Sequence, residues 1–151
     1  MRSFSTFRKA ISTISIGTSS SASFRVKPTD LASAISTDPQ EEFPPVLATS
    51  RLVTLMEITS ARMLDPYLEP SQLSVGVTID VSHTAPTPGD ALVTAEATYR
   101  GKEGKLFVFD VVASDEGGEV GAAVHKRAVV DAQRLLAGAK KRVTDSPSQA
   151  T

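Results

Sequence analysis

Cysteine is absent from the 151 residues, and histidine occurs only twice, at His83 and His125. Without cysteine there is no disulfide scaffold, no thiolate metal site and no cysteine nucleophile. Two histidines do not fill a histidine-rich metal site, and the carboxylates show no clustered ligand spacing, so no metal is expected. No apolar run approaches the roughly 20 residues that cross a bilayer, so no membrane span is expected either. An excess of charge is missing too. The net value is −1, which gives neither nucleic acid nor an anionic membrane a reason to be the main partner.

Acidic residues are missing from the start of the chain, where the first is Asp30. The opening stretch MRSFSTFRKAISTISIGTSSSASF holds eight serines, with Arg2, Arg8 and Lys9 as its basic residues. Phe4, Phe7, Ile11 and Ile14 fall near helical spacing. That is the composition of a mitochondrial transit peptide, which would put the protein in the mitochondrial matrix; otherwise it is expected in the cytoplasm. A disordered Ser-rich tail has the same composition. On either reading residues 1–22 lie outside the domain, residues 23–140 form it, and residues 141–151 are a tail. Lys140, Lys141 and Arg142 read as a solvated basic stretch.

What is present is one domain's worth of patterned sequence. Residues 25–45 carry Pro28, Pro39, Pro44 and Pro45, and FRVKP reads as a short edge strand ended by its proline. FPPVLATS leads to Thr49 and Ser50, both good helix N-cap types. From Ser50 to Leu64 the period is helical. Leu52, Leu55, Met56, Thr59 and Met63 form one stripe, Val53 and Ile58 widen it, and Asp65-Pro66 ends it. The period then becomes two. In LSVGVTIDVSH, Leu73, Val75, Val77, Ile79, Val81 and His83 share one parity. ALVTAEATYR alternates again, LFVFDVVAS is apolar on both faces apart from Asp110, and VGAAVHKRAVV is a last strand. PTPGD, GKEGK and DEGGE are the turns between them. DAQRLLAGAKKRV suits a C-terminal helix.

A long buried helix followed by a meander of strands predicts an α+β fold, an antiparallel β-sheet curled around a long central helix, which is the hotdog pattern. So small a sheet needs cover on its outer face, where Leu106, Val108 and Val112 lie, and a homodimer would supply it.

Three polar residues stand out against this frame: Thr49 at the helix start, Glu57 inside the helix and His83 at a strand end. Each has an ordinary structural use, as an N-cap, a hydrogen-bonded carboxylate and a core histidine. Taken together, a carboxylate and an imidazole facing the same interior are suited to shared acid–base work. Gly76 lacks a side chain and lets a ligand approach the backbone. His125 reads as an ordinary strand histidine, whereas the guanidinium of Arg127 suits a phosphate.

The stretches FPPVLATSRLVTLME, SVGVTIDVSHTAPTPG and GAAVHKRAVV, in this order and spacing, resemble the fluoroacetyl-CoA thioesterase type of hotdog thioesterase over about residues 25–131. The resemblance implies a Thr49, Glu57 and His83 catalytic set. It also implies Gly76 close to the acyl group and Arg127, in an H-x-R motif, near coenzyme A. Phe43 matches one ring of that family's aromatic lid, while Gln40 stands where a second would be expected. The implied activity is hydrolysis of a small acyl-CoA without metal or redox cofactor. In it Glu57 attacks the carbonyl or positions water, His83 moves the proton, and Thr49 orients Glu57. The rival readings are an acyl-thioester hydratase or dehydratase on the same fold and a non-enzymatic acyl-CoA binding module.

Overall fold

The structure is a computed structural model that describes residues 9–145. Five strands form one sheet: β1 (Ser19–Arg25), β2 (Gln72–His83), β3 (Leu92–Glu103), β4 (Leu106–Asp115) and β5 (Gly118–Asp131). Their spatial order is β1-β3-β4-β5-β2, with every neighbouring pair antiparallel. β4 is the central strand, as its two apolar faces require. α1 (Ala32–Ile35) is a single turn, α2 (Thr49–Leu64) is the long helix, and α3 (Ala132–Thr144) follows β5 directly. Asp131 caps α3 by accepting from the Arg134 N–H at 2.9 Å.

The sheet curls around α2. Leu52, Leu55, Met56, Met63 and Leu64 meet Val93, Ala95, Ala97, Phe107, Phe109 and Val111 in one core cluster. This is the hotdog arrangement, and the sheet around its helix is the fold that the alternation of periods implies. Thr59 and Ser60 are fully buried yet satisfied, since their hydroxyls donate to the carbonyls of Leu55 (2.7 Å) and Met56 (2.9 Å). Ser60 and Leu64 thus widen the buried stripe. Ile58, placed in that stripe by spacing, is on the outer side and 39% exposed.

Three further expectations change. The ordered chain starts well before residue 23. β1 begins at Ser19, pairs with β3 from Ser19↔Thr98 to Arg25↔Leu92, and is preceded by Ile14 in the core. The part of the transit-peptide reading that rests on residues 1–8 lies outside the described residues. The second change is in β2, where Gly76 pairs with Arg127 and Thr78 with Lys126, so Val77 is an extra residue. Beyond this bulge Ile79, Val81 and His83 face inward, as the parity predicts. Before it the inward positions are Ser74 and Gly76, while Leu73 (48%) and Val77 (50%) are exposed. The third is a similar slip at Val120 in β5, where Ala113 faces Gly121 and Ser114 faces Glu119. Val120 is buried, and so are Ala123, His125 and Arg127, whereas Val124 is 42% exposed. His125 therefore shares the core face with Val120, although they are five positions apart and a regular strand would set them on opposite faces.

The outer sheet face is mixed. Val112 is 45% exposed, but an Arg100–Asp110 ion pair (2.7 Å) and a Lys126–Glu103 pair (2.7 Å) interrupt the apolar surface expected there.

Candidate active site

The start of α2 is fixed from two sides. The Leu47 N–H donates to the Thr87 carbonyl (2.8 Å), and the Ala48 N–H donates to the Asp30 carbonyl (2.9 Å). Thr87 is itself fully buried, its hydroxyl donating to Asp115 at 2.7 Å. The turn TAPTPG is thereby pinned both to the loop before α2 and to the β4–β5 end. One consequence is the position of Thr49. The N-cap residue is Ala48, so Thr49 is the first helical residue and its hydroxyl makes no cap bond. The hydroxyl turns instead to His83, with Oγ1 2.8 Å from Nδ1. One hydrogen bond joins hydroxyl and ring nitrogen, with the donor set by the tautomer of His83.

The other ring nitrogen, Nε2 of His83, is buried and has no hydrogen-bond partner among the described residues. A buried ring nitrogen left unpaired in this way is costly, which is why such groups concentrate at working sites. Thr49 and His83 together open on a groove of about 370 Å³ whose apolar wall includes Pro44, Val46, Ala85 and Pro86. Phe43, next to that wall in sequence, is 48% exposed.

Glu57 is elsewhere on the helix. Eight residues separate it from Thr49, about 12 Å of helical rise. No hydrogen bond joins the two, and the expectation that Thr49 orients Glu57 does not survive within one chain. Glu57 belongs to a second constellation, built on the Gly76 end of β2. Its side chain is 44% exposed, and Oε1 lies 3.7 Å from the Arg127 guanidinium. It presses so closely on Gly76 that any Cβ there would collide with it.

Arg127, expected at a phosphate, is 6% exposed and occupied from below. Nε donates to Ser74 Oγ (3.0 Å), one terminal nitrogen to the Ser74 carbonyl (2.9 Å), and the other to His125 Nε2 (3.1 Å). Burial pulls its pKa down from the ordinary arginine value, and the charges of Glu57 and Asp65 push the other way. His125 is 1% exposed and 2.8 Å from the Thr78 carbonyl. Burial holds its pKa below the usual histidine value; Arg127 adds to this, while the Thr78 carbonyl and Glu57 oppose it.

The structure thus brings Thr49 to His83, and Glu57 to Gly76 and Arg127, but keeps the two groups apart in the single chain. The sequence does not single out Ser74, and it reads His125 as an ordinary strand histidine. The signal for His125 was the motif H-x-R itself, because residues two apart on a strand share a face.

A curled antiparallel sheet holding a long helix defines a hotdog-fold protein, here with a threonine–histidine pair at the helix start. The matching family model, fluoroacetyl-CoA-specific thioesterase (FlK), spans residues 26–133. The fluoroacetyl-CoA thioesterase of Streptantibioticus cattleyicolor is 41% identical over 101 residues, which is 67% of this chain and 73% of that protein. A solved structure of the fluoroacetyl-CoA thioesterase FlK superposes with a TM-score of 0.81 at 35% identity, covering 85% of this chain and 96% of the other. A thioesterase superfamily member from Thermus thermophilus shares the fold at 22% identity, with a TM-score of 0.76 over 88% of this chain and 98% of its own. The chain belongs to the fluoroacetyl-CoA-specific thioesterase family.

Proposed function

We propose that this protein hydrolyses a small acyl-CoA thioester to the free acid and coenzyme A. The observation that carries the reading is the 2.8 Å Thr49–His83 contact, with the unpartnered Nε2 of His83 on its far side. In the reaction the C–S bond breaks, a C–O bond forms with oxygen that comes from water, and the departing thiolate takes a proton. With the Thr49 hydroxyl donating to Nδ1, His83 carries its own proton on Nε2 and delivers it to that sulfur. Glu57 supplies the carboxylate that acts on the carbonyl carbon, and Gly76 leaves room for the acyl group beside it. Phe43 contributes an aromatic edge near the groove.

The functional unit in this proposal is a homodimer. One carbonyl cannot touch Glu57 and His83 when about 12 Å of helix separates Glu57 from His83's neighbour Thr49. β2 is an edge strand whose outer side pairs with nothing among the described residues. It runs from Gly76, beside Glu57, to His83, so a second copy paired along it in reverse sets each Glu57 toward the other copy's Thr49–His83 pair. Import into the mitochondrial matrix is proposed on the acid-free N-terminal composition alone. Any segment removed there has to end before Ile14, because Ile14 and Ser19–Ala22 are part of the fold.

A panel of short acyl-CoA esters, assayed by release of free thiol, tests the activity. Turnover is expected, with His83→Ala lowering kcat by about 100-fold or more at an unchanged melting temperature. Hydration of an enoyl-CoA without thiol release, or binding without turnover, would overturn the hydrolase reading.

A further inference from the structure

The H-x-R pair of β5 forms a second layer beneath Glu57 that the proposed chemistry has not used. Its two contacts fix the protonation of His125. The Thr78 carbonyl can only accept, so Nδ1, 2.8 Å away, carries the hydrogen. The Arg127 guanidinium can only donate, so Nε2, 3.1 Å away, must offer its lone pair. Both demands are met by one neutral tautomer. An imidazolium would set an N–H, and a positive charge, against another donor of the same sign. Burial, which disfavours the charged ring, works in the same direction.

The guanidinium is held at three points, twice by Ser74 and once by His125. From that position the nitrogen bonded to His125 stands 3.7 Å from Glu57 Oε1. That is beyond hydrogen-bond length, so the positive charge faces the carboxylate without engaging its lone pairs. Loss of the acceptor at His125 frees this nitrogen to close directly on Glu57, which ties up the oxygen needed at the carbonyl.

We propose that His125 is a positioning residue: as the neutral Nδ1–H tautomer anchored on Thr78, it holds Arg127 off Glu57 and so keeps that carboxylate free to react. The inference rests on the hydrolase reading for its effect on rate, but its geometry can be tested apart from it.

Long-range proton–nitrogen correlation spectra of the full-length wild-type protein at pH 7 should show His125 protonated at Nδ1 and bare at Nε2. A ring protonated at Nε2, or charged, overturns the proposal. Two substitutions then separate positioning from packing. In His125→Gln the side-chain oxygen reaches the place of Nε2 and can accept from Arg127; in His125→Asn the side chain ends at the place of Nδ1 and can bond only Thr78. His125→Gln should keep kcat within about threefold of wild type, whereas His125→Asn should lower it about tenfold or more with KM changed less than about twofold. Equal losses in both variants, in step with their melting temperatures, would make His125 a packing residue and overturn the proposal. If the wild type releases no thiol from any ester, the hydrolase reading fails by itself. The terminal nitrogen signals of Arg127 then decide, being distinct in wild type and averaged in His125→Asn if His125 holds the guanidinium, and alike in both if it does not.

Discussion

At Gly76 a single hydrogen is all that separates the strand from the Glu57 carboxylate. A methyl there meets Glu57 Oε1 first, and only then the His125 ring carbon at 3.3 Å. The first contact is the tip of a flexible, half-exposed side chain that can swing into solvent; the second is part of a ring held by two hydrogen bonds. Gly76→Ala should therefore cost little stability, on the order of 1 kcal/mol, while lowering kcat about tenfold or more by displacing Glu57. Melting curves and thiol-release kinetics on the one variant check both halves. A large loss of stability with activity retained would mean that the strand gives way and not the carboxylate. Residue types announced much of this site, because a carboxylate within an apolar helix and a histidine at the end of an apolar alternation are conspicuous. Thr49 was less legible. Its type and place suggested a cap, and only the tertiary pinning of Ala48 shows that its hydroxyl is released to His83.

β1 is the element whose role the chain conceals most. SSSAS has neither the apolar alternation nor the β-branched residues of a strand, so its pairing comes from what β3 offers it. Once formed it matters: Ala22 joins the core, and Ser20 donates to the Thr59 carbonyl of α2 at 2.9 Å. A truncation beginning at Ser23 removes four of the seven β1 residues together with Ile14. It should melt at least about 10 °C lower or fail to remain soluble, as expected when several kcal/mol of edge pairing and burial are lost. A truncated protein that melts with the full chain would show that the sheet does not depend on this edge. α2, β3 and β4 are legible because apolar spacing and burial coincide over most of their length, with Ile58 and Val112 among the exceptions. The bulges at Val77 and Val120 are not, because one inserted residue leaves no mark on composition and reverses every parity read across it.

For the molecule as a whole, the test of assembly is whether the two halves of the site can be supplied by different chains. Glu57→Gln and His83→Ala homodimers should each be inactive. Mixed and allowed to exchange subunits, they should regain activity, because each mixed dimer contains one intact Glu57 facing one intact His83 across the β2 edge. Mixing that restores nothing, although exchange is confirmed by mass, would place the entire site within one subunit. The recovered rate can approach at most about a quarter of the wild-type value under random exchange, since half of the dimers are mixed and each has one working site of two.

The extra residue at Val77 also bears on how this protein tolerates the loss of a codon. Ser74 and Gly76 on one side of it, and Ile79, Val81 and His83 on the other, share the concave face only because the strand changes phase between them. An in-frame deletion at position 77 would leave Thr49, Glu57, Gly76, His83, His125 and Arg127 all present, and would make β2 regular. Gly76 and His83, seven positions apart across the bulge, would then be six apart, and an even separation keeps them on one face. The bulge is a spare residue, and this strand can lose one codon there without turning either half of the site away.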